Sequence, residues 1–168
     1  MMIKWSGGRA WPAVLEAIRA AGIALECVDG VPLFDVAAVQ AIIDAYDPLP
    51  EARAEKWREI QTERDRRKFA GYVTAGHRYH SDADSRTQQL GLVMAANAGA
   101  LPSGLLWKTM DGAFVPMSAQ LALGIFSTAM AADAAIFAAA ETHRAAINAM
   151  TDVGAVLAYD FSGGWPVV

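Results

Sequence analysis

His77, His80, Asp82 and Asp84 are the tightest cluster in this chain of side chains able to hold a metal or move a proton. Imidazole and carboxylate at this density are what a zinc or manganese site would use. Their spacing argues against convergence. Gly71–Ser85 reads GYVTAGHRYHSDADS, two short strands around Ala75-Gly76, and positions three apart on a strand point to opposite faces. His77 and His80 therefore meet only if the strand bends. Ser81, Asp82, Asp84 and Ser85 are also ordinary residues of turns and helix caps. A small metal-dependent hydrolase built on the His77–Asp84 turn is one function class these residues leave open.

Other candidates are thinner. Gly7-Gly8-Arg9 before a helix could hold an anion at the helix N-terminus, but it has neither the Lys-Ser/Thr of a P-loop nor the spacing of a dinucleotide fingerprint. No serine sits in a nucleophile elbow, and no pair of acids has a spacing that points to general acid/base work. His143, between Glu141 and Arg144, reads as a surface or interface residue. Cys27 is the single cysteine, which excludes an internal disulfide, and it reads as a buried apolar thiol in a strand. Catalysis, a cofactor and a resident metal are all left without a convincing constellation, and the expectation is a protein that is not an enzyme.

The chain has 168 residues, 54% of them hydrophobic and 19% charged, with a net charge of −4. That length suits about one domain. The acidic balance argues against a general nucleic-acid binder. Glu51–Lys68 gathers seven basic against five acidic residues, and its Arg64–Lys68 end faces either phosphates, an acidic partner or plain solvent, where cations suit a helix C-terminus. No continuous apolar run marks the N-terminus as a signal peptide. Ser118–Ala140, with Asp133 as its one charge, is the stretch to weigh as a membrane span, and it would serve a membrane-active lysis protein. Its Ala, Ser, Thr, Gly and Gln content and the cost of about 2.5–3.5 kcal/mol for a central Asp favour a soluble chain instead.

The elements follow from periodicity. A helix begins near Pro12 with Val14, Leu15, Ile18 and Ala21 on one face, and Gly22 suits its C-terminal cap. Ile23–Val28 and Val31–Phe34 flank Asp29-Gly30 as a hairpin, with Pro32 keeping the second strand short. Asp35 caps a helix through Val36, Val39, Ile42, Ile43 and Tyr46. Residues 1–46 form a helix–hairpin–helix module. Asp47-Pro48-Leu49-Pro50 breaks the chain before a helix over Glu51–Phe69, polar nearly all round apart from Ala52, Trp57, Ile60 and Phe69. Ser85 opens a capping box with Gln88 for a helix ending at Gly99. Leu105–Thr109 and Ala113–Pro116 make another hairpin, and Ser118 caps one helix of about 30 residues, near 45 Å long, reaching Met150. The tail, 151–168, carries a short strand over Val156–Tyr159. The fold class is α+β.

The charged helix ending RDRRKF, the YHSDADS turn and the WKTMDG hairpin of WKTMDGAFVPMS (Trp107–Ser118), in that order and followed by the Ala-rich helix, resemble a domain of unknown function that recurs in tailed bacteriophages, in tail and tail-fibre-assembly proteins. The resemblance covers roughly 51–150. It implies a tail-associated protein acting through protein–protein contacts, either a factor for tail-fibre assembly or attachment or a tail- or fibre-associated virion component. Its place would be the virion tail, or the host cytoplasm during assembly. The implied partner is a phage tail or tail-fibre protein, and the resemblance assigns the His77–Asp84 turn no catalytic or metal role; the homo-oligomer expected beside it rests on the Ala-rich helix.

The aromatic and apolar residues are then the better candidates for contact. Trp57 and Ile60 are the anchors available to the charged helix, holding it to the rest of the fold or to a second chain. Trp107 belongs in the hairpin layer. Trp5 and Trp165, near the ends, need burial against the chain itself or a partner. Along Ser118–Met150, Ala135 and its neighbouring alanines leave little bulk while Phe137 adds a large contact, so the exposed alanine face is expected to meet another copy or a partner.

Overall fold

The computed structural model describes residues 11–29 and 31–167; Trp5 and Gly7-Gly8-Arg9 lie outside them. The α+β expectation is met: among the described residues helices alternate with three separate two-stranded antiparallel sheets.

The N-terminal module assembles around α1 (Trp11–Ala20), the hairpin β1 (Cys27–Val28) and β2 (Val31–Pro32), and α2 (Val36–Ala45). Asp35 caps α2, its carboxylate accepting from the backbone N–H groups of Ala37 and Ala38 at 2.9 and 3.1 Å. Val14 and Ile18 meet Val39 and Ile43 in a core of their own. The hairpin gains nothing from that core: both strands are exposed. Cys27 is accordingly exposed and not the buried thiol its sequence suggests, because strands two residues long cannot reach over the helix pair.

α3 (Leu49–Lys68) starts two residues earlier than expected. Asp47 accepts the Leu49 N–H at 2.9 Å, and Pro50 sits in the first turn, where a missing N–H costs nothing. The hairpin β3 (Tyr72–Thr74) and β4 (His77–Tyr79) pairs Tyr72 with Tyr79 and Val73 with Arg78. Gly71 enters it at φ 82, and a Cβ there would lie 2.7 Å from the Tyr79 carbonyl oxygen, so only glycine fits. α4 (Ala83–Asn97) begins at Asp82, whose carboxylate accepts the Ser85 N–H at 2.9 Å. The cap is therefore Asp82 and not the expected Ser85, which donates its hydroxyl to the same carboxylate at 2.7 Å.

The hairpin β5 (Leu106–Lys108) and β6 (Phe114–Pro116) leads into α5 (Ala119–Ala149), a single 31-residue helix capped by Ser118. α6 (Val153–Leu157) follows, where the sequence suggested a strand. Asp152 decides it by accepting the Ala155 N–H at 2.7 Å, which nucleates a helical turn.

α5 is shared by two cores. Its first half gives Ala122, Ile125 and Ala129 to a cluster with Tyr72, Tyr79, Leu92 and Met117, against which Trp107 packs. Its second half gives Ala140 and Ile147 to a cluster with Ile60, lined by Trp57, Tyr159, Phe161 and Trp165. The tail is thus part of the second core and not an appendage. Arg53 of α3 ties the far end of α5 by donating to the Met150 carbonyl at 2.6 Å, a cation placed where the helix dipole is negative.

Candidate interaction surface

The charged helix is held less by apolar bulk than by cations lying on rings. Arg67 stacks on Trp165 at 5.0 Å, Arg144 on Trp57 at 5.0 Å, Lys56 on Phe161 at 5.5 Å, and Arg64 and Lys68 both on Phe137, at 4.9 and 5.7 Å. Such contacts contribute about 0.5–2 kcal/mol each, more where water is excluded. The aliphatic stems of these residues lie along apolar surface while their heads stay near solvent. This is how α3 docks with only Ala52, Lys56 and Ile60 buried along it.

The Arg64–Lys68 run is also largely neutralised within the fold. Glu63 accepts from Arg66 at 2.6 and 2.8 Å and from Arg67 at 2.7 Å, and Arg64 donates to Asp65 at 2.8 Å. Hydrogen bonding from Arg66, joined by Arg67, pulls the Glu63 carboxyl down to about 2. A cluster that sequence offers to phosphates spends most of its charge at home.

The metal candidates do not come together. His77 turns to Asp111 across the hairpins at 3.3 Å, Asp82 is committed to its cap, and His80 and Asp84 are exposed. The two bonds from Ser85, backbone N–H first and hydroxyl second, hold the Asp82 carboxyl below its ordinary range. Among the described residues no group of three His, Cys, Asp or Glu side chains converges as a metal site would need.

The sequence offers His143 as a surface or interface residue; it is buried within the fold, at 7% exposure, against the chain's own tail. Its Nδ1 lies 2.8 Å from the Tyr159 hydroxyl and its ring packs on Trp165 at 5.1 Å between centroids. Trp165 in turn donates its indole N–H to the Phe161 carbonyl at 2.7 Å. The signal available in sequence was the aromatic content of Tyr159–Trp165, which a helix neighbour had to cover.

Of the contact residues read from sequence, Ile60 is fully buried and Trp57 and Trp165 are half-buried, while Ala135 and Phe137 are exposed on α5. Ala135 lines an open groove of about 570 Å³ with Tyr72, Arg78, Thr128 and Pro166. Beyond the groove, α5 presents Leu123, Met130 and Phe137 at 43%, 58% and 41% exposure. The only charge between Ala119 and Ala138, Asp133, is paired with Arg86 at 2.9 Å. On length and composition α5 is apolar enough to cross a membrane, yet its Ile125, Ile136 and Ile147 are spent inside the fold.

A family model described as a domain of unknown function (DUF4376) matches residues 51–162. The chain belongs to that family. The match covers two-thirds of the sequence, from the first turn of α3 through α6 to Ser162, and so takes in both cores built on α5 apart from Trp165, but not the N-terminal module. No curated protein and no solved structure matches the chain.

Proposed function

We propose that this DUF4376 protein acts through protein–protein contacts as a bacteriophage tail-associated factor. It serves either in tail-fibre assembly and attachment or as a component of the tail or fibre in the virion, and it works in the host cytoplasm during assembly or in the virion tail. The phage assignment rests on the resemblance of the RDRRKF helix end, the YHSDADS turn and the WKTMDG hairpin. The contact mode rests on one observation, the outward side of α5 from Leu123 to Ala138, whose own single charge is paired and whose Leu123 and Met130 stand in solvent beside a Phe137 ring that carries Arg64 and Lys68. Exposed apolar patches of that kind mark interaction surfaces.

Co-expression with neighbouring tail and fibre proteins, followed by purification of intact particles and of free fibre, tests the reading. The chain in particles makes it a virion component, and the chain only with free fibre makes it an assembly factor. Absence from both overturns the assignment.

A further inference from the structure

We propose that the groove beside β3 takes an extended segment of a partner protein, paired to the free edge of that strand and carrying an acidic side chain between two large apolar ones. The inference rests on the contact mode proposed above and names the partner segment by its chemistry.

The turn between β3 and β4 is two residues, Ala75 and Gly76, with φ 50 and 80. Thr74 and His77 close it, so Val73 and Arg78 form the next pair, whose N–H and C=O groups point away from the ladder. On the β4 side that outward edge is used: the Arg78 carbonyl accepts the Met110 N–H at 2.8 Å. On the β3 side it is open. Neither the N–H nor the carbonyl of Val73 has a hydrogen-bonding partner among the described residues. Gly71, the other outward position, is already taken, its N–H by the Ser81 hydroxyl at 2.9 Å and its carbonyl by Arg78 at 3.2 Å. Val73 thus offers one donor and one acceptor side by side, the pair that a single residue of an added antiparallel strand exchanges.

The groove lies along this edge. Thr74 meets Thr128 at 3.3 Å, which sets β3 against α5, and Val73, Ala131, Ala135 and Pro166 all line the space between strand, helix and tail. Its volume of about 570 Å³ is that of a site able to bury a ligand. Arg78 is the only charged residue lining it. Its guanidinium crosses the hairpin to donate to the Ala70 and Gly71 carbonyls, both at 3.2 Å, uncharged oxygens that fix it beside the strand. The period of two along a strand then sets the partner's pattern. A residue paired with Val73 carries its side chain on the face of Val73 and Arg78, where a carboxylate complements the guanidinium. Its two neighbours point to the opposite face, toward Ala131 and Ala135, whose methyl groups leave room for large apolar side chains. The pattern is apolar, acidic, apolar. A helix or an acyl chain would fill the groove yet leave the Val73 backbone without a partner.

Nuclear magnetic resonance titration of the isotope-labelled full chain with an end-blocked peptide, Ser-Leu-Glu-Leu-Ser, tests this. The expected result is saturable binding in which the Val73 amide proton moves downfield and the Ala131 and Ala135 amides shift with it. Exchanging the peptide's Glu for Gln weakens binding roughly fivefold or more, and Arg78→Gln in the protein erases that difference. Methylating the backbone nitrogen of the same Glu, which deletes the donor aimed at the Val73 carbonyl, abolishes binding. Ala131→Trp, at an exposed position of α5, fills the groove and blocks the peptide while helicity and thermal midpoint hold. Equal binding of the methylated peptide overturns the inference, and so does equal binding of the Glu and Gln peptides by the wild type. Decanoate that shifts the groove amides where the peptide does not overturns it as well. The same holds if those amides shift with protein concentration alone, which would give the groove to a second copy. A peptide that fails on a chain that still co-purifies with a tail or fibre protein removes the inference and leaves the proposed function. Peptide binding by a chain found neither in particles nor with free fibre does the reverse.

Discussion

His143 and Tyr159 are joined by a 2.8 Å contact between the imidazole Nδ1 and the phenol oxygen, one on α5 and the other just past α6. The contact, with Trp165 packed on the same ring at 5.1 Å between centroids, fastens the tail onto the long helix. The other ring nitrogen, Nε2, is buried with no hydrogen-bonding partner among the described residues, and it faces Gly164. A Cβ at Gly164 would lie 3.3 Å from the His143 ring, at a backbone φ of 79 that favours glycine.

Gly164→Ala is accordingly expected to lower stability by about 1–2 kcal/mol and to shift tryptophan emission toward that of a solvated indole. Tyr159→Phe, which keeps the ring and loses the bond, is expected to cost about 1 kcal/mol. Chemical denaturation with tryptophan fluorescence reads both. An unchanged midpoint in Gly164→Ala would remove the clasp.

The paired tyrosines of the other core should respond in opposite directions. The Tyr72 hydroxyl donates to Gln89 at 2.5 Å, and Gln89 donates on to the His80 carbonyl at 2.8 Å; burial pushes the Tyr72 phenol up to about 12. The Tyr79 hydroxyl is buried without a partner among the described residues. Tyr72→Phe strands the Gln89 oxygen and should cost about 1–3 kcal/mol, whereas Tyr79→Phe should be neutral or stabilising. Urea midpoints of the two variants measured together decide the matter, and equal losses would contradict the assignment.

Acid should loosen the cation-on-ring array through Glu63. Its folded value of about 2 lies below the ordinary 4.5, so its contribution is fully present above about pH 4.5 and is lost as pH falls through about 2. Arg66 is largely exposed, which limits the contribution to about 1 kcal/mol. Thermal midpoints between pH 6 and 2 should fall less steeply in Glu63→Gln than in the wild type. Parallel curves would show that Glu63 contributes nothing.

The turn between the hairpin and α4 is expected to be a cap and not a ligand set. Asp82→Ala should lower the thermal midpoint by loss of the α4 cap, and a chelator should leave the thermal midpoint of the wild type where it was. Stoichiometric zinc or manganese in the purified protein, lost with stability in a His77→Ala and His80→Ala double variant, would reverse that assignment.

Ile60 is the apolar anchor of α3 and is fully buried. Ile60→Ala should cost about 2–5 kcal/mol. Trp57→Ala should cost less than a fully buried tryptophan would, because the residue is only partly buried and part of its contact is the Arg144 stack. The same denaturation assay separates them, and a Trp57→Ala loss larger than that of Ile60→Ala would invert the order.

Much of this architecture was legible because it is written in local signals. Asp35 and Ser118 announce their helices by type and position, and nothing from Ala119 to Ala149 interrupts the longest one. The misreadings share a cause. Asp82 and Ser85 are both good caps, and only the geometry of the preceding strand chooses between them. Val156–Tyr159 has the composition of a strand, but Asp152 sits three residues before Ala155 and turns the segment into helix. His143 looked solvated between Glu141 and Arg144, since its cover comes from residues sixteen and more positions away. The basic run at the end of α3 had the same ambiguity, settled by Glu63 beside it and by rings from α5 and the tail.

Because α5 lends side chains to two clusters, neither can open alone without dragging on the same backbone. Ile125 and Ile147 sit about 33 Å apart along one axis, yet they answer to a single ladder of peptide bonds. Amide exchange from Tyr72 to Trp165 should therefore proceed by one common opening. The helix pair before Asp47, whose cluster shares no residue with the other two, is free to breathe on a clock of its own.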